Sequence, residues 1–185
     1  GGLGIDSILK LELMNRDQLE KELDFKLGHK NLLVTFHPPT LEKNAGFNQM
    51  KNLLAVLDKL RDTHIIFTMP NSDTEGRIFF QLIKEFTIQH PHAKAFTSLG
   101  QLKYLSSIKQ VDGVIGNSSS GLSEVPTFKK ATVNIGDRQK GRLKASSVID
   151  CEPSQGQICD AIKKLYSDEF KSELETVTNP YGSGG

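Results

Sequence analysis

Residues 111–124 read VDGVIGNSSSGLSE. Val111 to Gly116 is a short apolar run of strand character. Asn117 to Ser120 is a turn dense in hydroxyls, and GLSEVPTF, Gly121 to Phe128, is able to form a helix. A strand, a polar turn and a helix start, in that order, make half of a crossover between parallel strands. Backbone N–H groups at a helix start lack intrahelical partners. Such a turn suits an anion, with a diphosphate as its natural occupant. The next apolar run leads into NIGDRQKGR at Asn134 to Arg142, an arginine-bearing loop able to supply countercharge.

Working outward, the same alternation repeats. NLLVTFHP (31–38) reads as a buried strand ending at a His-Pro turn. In FNQMKNLLAVLDKL (47–60), Met50, Leu53, Leu54, Leu57 and Leu60 recur at helical period. HIIFTMP (64–70) is a strand, residues 74–90 a helix, KAFTSL (94–99) a weaker strand and QLKYLSSIKQ (101–110) a short helix. ATVNIG (131–136) and SSVID (146–150) are further strands, and 155–166 is a closing helix. Strands alternating with helices over short loops predict an α/β fold, a Rossmann-like doubly wound parallel sheet covered on both faces. Ligands of such sheets lie beyond the carboxyl ends of the strands. His37, Asn71, Thr97 with Ser98, Ser118 and Arg138 each follow one strand of that series.

The first thirty residues differ in character. Asp6 suits a cap for one short helix and Asn15 or Asp17 for another, RDQLEKELDF, with Gly28 ending it. We therefore expect a linker and helical lead-in over 1–30, a Rossmann-like domain over 31–178 and a truncated C-terminal tail over 179–185. The ends, GGLG and GSGG, read as cut from a longer protein.

Bulk properties exclude several classes. The chain has 185 residues, 37% hydrophobic and 24% charged, as expected of one globular domain. A formal net charge of +1 argues against a dedicated nucleic-acid surface. The two cysteines, Cys151 and Cys159, are too few for a disulfide framework and suit reduced thiols in the cytoplasm. No apolar run approaches the ~20 residues that span a bilayer. His64, His90 and His92 have no metal-ligand spacing with the cysteines, and there is neither a P-loop nor a Gly-x-Gly-x-x-Gly fingerprint. Lys163, Lys164 and Lys171 alternate with acids and read as a solvated helix face.

Six segments together resemble one family. They are GGLGIDSI (1–8), VTFHP (34–38), MPNSDTEG (69–76), IGNSSSGLSEVP (115–126), VNIGDRQKGR (133–142) and NPYGSG (179–184). The chain is similar to the C-terminal half of UDP-N-acetylglucosamine 2-epimerases of the hydrolysing kind, which feed sialic and other nonulosonic acid synthesis. The pairing of GNSSSG with NIGDRQKGR is the specific part. Non-hydrolysing relatives carry an Asp-Ser-Gly-Gly pattern at the same turn.

The resemblance implies a GT-B-type enzyme of two facing Rossmann-like domains, of which this chain is the second, UDP-binding half, with 31–178 as the UDP-binding domain. Its partners would be a UDP-sugar, released UDP and the missing N-terminal domain, in a homo-oligomer when intact. UDP would leave by elimination across C1 and C2, and water would add with inversion at C2. That chemistry requires no metal and no redox cofactor.

The resemblance also assigns residues. Ser118 and Ser119 match positions that bind the UDP phosphates; the bare sequence reads them equally as a plain N-cap. Glu124 matches a glutamate on the ribose hydroxyls, and a first-turn glutamate also suits the helix dipole. Arg138 matches an arginine that reaches the nucleotide, while Arg142 braces the loop. His37 matches a residue near the diphosphate and sugar, suited to proton donation. Asn71 matches a ligand contact, or else caps a turn, and Ser98 lies where the family meets the uracil through the backbone. Two other classes stay open: half of a GT-B glycosyltransferase, and a nucleotide-sugar binding module without catalysis. On the epimerase reading this half alone is inactive, because the sugar-facing acids belong to the other domain.

Overall fold

The computed structural model describes residues 8, 10–37, 43–69 and 76–182. In chain order its elements are α1 (Arg16–Leu23), β1 (Lys30–Thr35), α2 (Lys43–Asp58), β2 (Thr63–Thr68), α3 (Arg77–Gln89), β3 (Ala93–Phe96), α4 (Gly100–Gln110) and β4 (Gly113–Gly116). There follow α5 (Ser120–Ser123), a 3-10 turn (Val125–Phe128), β5 (Ala131–Ile135), β6 (Val148–Cys151), α6 (Gln155–Leu165) and α7 (Asp168–Leu174).

The strands form one sheet in the order β3-β2-β1-β4-β5-β6. Every pairing is parallel. The winding therefore reverses between β1 and β4, whose register pairs Thr35 with Gly116. That reversal opens a crevice at the strand ends, because the crossovers on either side run away from each other. The doubly wound α/β architecture read from the sequence is the one observed.

Period-two alternation sorts each strand onto two cores. Leu32, Val34, Ile65, Phe67, Ile115 and Val133 face one side, with Met50, Leu53, Leu57, Phe79, Ile83, Ile158 and Ile162 from α2, α3 and α6. Leu33, Ile66 and Val114 face the other, with Leu105 and Ile108 of α4. Ile8, Leu19, Leu23 and Leu27 complete this second core, so residues of the lead-in cover the sheet. Each large apolar side chain fully buried in this way contributes roughly 1.5–3 kcal/mol.

Two local expectations are corrected. α1 begins as read, with Asn15 and Gln18 forming a reciprocal capping box, but it ends at Asp24 rather than Gly28. Asp24 adopts φ 50° and its N–H reaches the carbonyls of Glu20 and Lys21, which closes the helix early. Gly28 is needed instead for contact, since a Cβ there would lie 2.3 Å from the His64 ring. The segment after the hydroxyl turn is no continuous helix. It is a single α turn, α5, followed by the 3-10 turn, because Pro126 cannot donate to the preceding turn and sits at the start of the second piece.

Candidate functional site

Gly116 permits the crevice. It has φ 155°, and a Cβ on it would stand 1.8 Å from the Thr35 carbonyl oxygen. Only glycine lets β1 and β4 run this close where they end. Asn117 then clamps the two ends together. The His37 N–H donates to Asn117 Oδ1 at 2.8 Å, and Asn117 Nδ2 donates to the His37 carbonyl at 2.9 Å. Asn117 is 3% exposed, so this double bond to backbone is made out of water.

The arginine loop is tied to the same point. Gln139, itself buried, donates through Nε2 to the Asn117 carbonyl at 2.9 Å. Arg142 donates to Gln139 Oε1 at 3.2 Å and its guanidinium lies over the Tyr181 ring at 5.7 Å. Arg142 thus braces the loop, as its sequence position suggested. Arg138, on the other hand, is exposed, and no described residue pairs with it in an ion pair or hydrogen bond. The C-terminal NPYG segment secures the back of the turn: Asn179 Nδ2 donates to the Ser123 carbonyl at 2.9 Å and to Thr127 Oγ1 at 2.8 Å.

A cleft of about 500 Å³ opens over the carboxyl ends of β1 to β4, within the range of small-ligand sites. His37, Ser98, Ser118 and Glu124 all line it, as do Tyr104 and Ser120. Arg138 stands beside it, close enough for its charge to act on His37. Ser119 is exposed on the turn and is not among the cleft-lining residues. Asn71 lies outside the described residues. A second cavity, about 360 Å³, sits at the opposite ends of β2 and β3 and contains none of these residues.

The turn itself has donors to spare. Ser120 N–H is taken by Ser118 Oγ at 3.3 Å and Gly121 N–H by the Ser118 carbonyl at 3.2 Å. The N–H groups of Ser118 and Ser119 bond to no described residue. The result is a small concave nest with two free donors, not the end of a long helix dipole.

Electrostatics follow burial. Burial, and then the Arg138 charge, hold His37 below its ordinary value of 6.5. The imidazole is therefore neutral at neutral pH. Because the unfolded chain takes up this proton first, His37 contributes stability above pH 6.5 that is lost as pH falls through its lowered folded value. We expect the urea midpoint to fall on acidification below pH 6.5, and His37→Gln to remove that part of the slope. An identical slope in the variant would assign it to other groups. Glu124 is pushed up by burial and pulled partly back by the Ser120 hydroxyl.

Sequence reading missed Asn117, Gln139, Tyr104 and Ser120 as site residues. The first two act through backbone atoms far away in the chain. Tyr104 and Ser120 gave no signal beyond a helix position and one serine among three.

The family model for UDP-N-acetylglucosamine 2-epimerase matches residues 1–185. The GDP/UDP-N,N'-diacetylbacillosamine 2-epimerase (hydrolyzing) of Campylobacter jejuni is 41% identical over 172 residues, 92% of this chain and 44% of that protein. The chain spans about half the length of the curated relatives it matches. Among solved structures, the UDP-GlcNAc 2-epimerase of Neisseria meningitidis, bound to UDP-GlcNAc, superposes with TM-score 0.73 at 17% identity over 97% of this chain and 49% of that one. The C-terminal domain of a glycosyl transferase group 1 family protein from Francisella tularensis gives TM-score 0.59 at 15% identity, over 96% of this chain and 95% of that one. The fold is thus shared with epimerase and glycosyl transferase structures, and the family match runs the full length of the sequence: the chain belongs to the UDP-N-acetylglucosamine 2-epimerase family.

Proposed function

We propose that this chain holds the UDP of a UDP-linked 2-acetamido sugar, as the nucleotide half of a hydrolysing 2-epimerase. One observation carries the reading. At the reversal point of the sheet, a nest whose N–H donors bond no described residue, a neutral imidazole and a carboxylate line or border one cleft, and beside it stands an arginine that pairs with no described residue. A nucleoside diphosphate offers the matching chemistry: phosphate oxygens for the donors and cation, hydroxyls for the carboxylate.

In this reading Ser118 and Ser119 bind the diphosphate with Arg138, and Glu124 takes the ribose hydroxyls. Ser98 and its neighbours meet the base. His37 faces the leaving oxygen, where a neutral imidazole adds no fixed charge and its N–H meets the negative charge growing on the diphosphate. The reaction removes the C2 proton and breaks the C1–O bond, releasing UDP and leaving a C1=C2 double bond. Water then returns hydroxyl to C1 and a proton to the opposite face of C2. The groups that move the C2 proton lie in the half that relatives have and these residues lack. The nucleotide contacts fall within residues 31–178, with 1–30 and 179–185 as flanking segments. The Campylobacter relative favours a 2,4-diacetamido sugar over GlcNAc as the substrate of the intact protein.

Titration calorimetry with UDP tests this. We expect saturable binding, weakened roughly tenfold by Arg138→Ala and less by Ser119→Ala, as for loss of one charge-assisted or one neutral hydrogen bond. Both side chains are exposed, so neither change disturbs the core. No saturable binding, or equal binding by all three proteins, would refute the site. The chain alone is expected to turn over no UDP-sugar, and measurable free 2-epimer from it would place the missing acid and base within these residues.

A further inference from the structure

Glu124 is a half-buried carboxylate with no Lys, Arg or His within ion-pair distance among the described residues. Carboxylates accept and never donate when ionised, so a buried one needs donors around it. Ser120 lies one helical turn earlier, the Glu124 N–H bonding its carbonyl at 2.9 Å; both residues line the cleft, and the Ser120 hydroxyl pulls the Glu124 carboxyl partly back down.

Ser120 is in turn held from α4. The half-buried hydroxyl of Tyr104 bonds Ser120 Oγ, while the Ser120 N–H donates to Ser118 Oγ at 3.3 Å. Ser120 has a single hydroxyl proton; when that proton serves Glu124, the Tyr104 hydroxyl is the donor to Ser120. Burial pushes the phenol up to about 12, which keeps that proton in place at any assay pH.

We propose that Tyr104 and Ser120 are positioning residues that orient the Glu124 carboxylate and thereby set the preference of this cleft for a ribonucleotide over a 2′-deoxyribonucleotide. The inference rests on the UDP reading above. It adds a specificity determinant on α4, an element that supplies no phosphate contact. With the Tyr104 hydroxyl gone, the Ser120 proton is no longer aimed at Glu124. The carboxylate is then free to turn from the diol, while the diphosphate contacts at Ser118, Ser119 and Arg138 are untouched.

The test compares binding of UDP and 2′-deoxy-UDP by the wild-type chain, Tyr104→Phe, Ser120→Ala and Glu124→Gln. The wild-type chain should prefer UDP by at least about tenfold, the scale of one hydrogen bond to a charged group. Tyr104→Phe and Ser120→Ala should shrink that preference to within about threefold, lowering UDP affinity more than 2′-deoxy-UDP affinity, as expected when a coupled hydrogen-bond chain is cut. Glu124→Gln should show the same collapse. A variant that loses affinity for both nucleotides equally has suffered a general structural change, and that result would overturn the proposal. So would an unchanged preference in Tyr104→Phe. Wild-type binding of UDP without ribose discrimination overturns this inference alone, whereas absence of UDP binding overturns the UDP reading with it.

Discussion

Gly116→Ala is expected to cost about 4 kcal/mol of folding free energy, the sum of backbone strain and overpacking at one point. The added Cβ would meet the Thr35 carbonyl oxygen at 1.8 Å and its carbon at 2.5 Å, and both are backbone atoms of the neighbouring strand. A flexible side chain could swing aside. Backbone held in the Thr35–Gly116 register cannot do so without spreading β1 from β4. The φ of 155° adds to the cost, since side-chain-bearing residues rarely adopt it. Urea unfolding of the purified variant checks the figure, and calorimetry should show UDP binding lost in the same protein. A loss below about 1 kcal/mol, the ordinary scale of a surface substitution, would mean that the close approach is relaxed in solution.

The second large effect is expected at Asn117. Asn117→Ala leaves the His37 N–H and carbonyl without their partners at 2.8 and 2.9 Å, in a place with little water. Leaving two part-buried backbone groups unsatisfied costs roughly 2–4 kcal/mol. Asn117→Asp separates the two bonds. Its carboxylate still accepts from the His37 N–H but repels the His37 carbonyl, so it should be no more stable than the alanine variant near neutral pH. Acidification that protonates the new carboxylate supplies an O–H donor for the His37 carbonyl. Part of the loss should then return, measured against the wild-type protein at the same pH. Urea midpoints across pH report both effects. Stability of Asn117→Asp equal to wild type at pH 7 would show that the donor half of the clamp is dispensable.

Much of this fold was legible because parallel strands are buried on both faces. NLLVT, HIIFT and ATVNI stand out as apolar runs for that reason, and the helical period of Met50 to Leu60 marks the crossover between the first two. The strand order was less so. Nothing in residues 31–37 announces that they pair with 113–116, and the clamp joins His37 to a residue 80 positions away. Gln139 likewise reaches its partner across 22 positions. An asparagine opening a serine run and a glutamine after an arginine look like polar loop residues until the sheet brings them together. The helix boundaries erred where a local conformation outweighed composition, at Asp24 in its left-handed geometry and at Pro126. His37, Ser98 and Ser118 reach one cleft because each follows a strand end, as the alternation anticipated, whereas Glu124, singled out only by the family resemblance, reaches it from beyond the hydroxyl turn.

The clamp at Asn117 addresses only the main chain of residue 37. Placement and chemistry at that position are therefore separable. Any side chain that tolerates the local backbone can be installed at position 37 while its Cα stays where Asn117 holds it. A series of replacements there would vary proton affinity, size and charge one at a time on a fixed mount. The side chain facing the cleft can thus be exchanged without moving the surface that carries it.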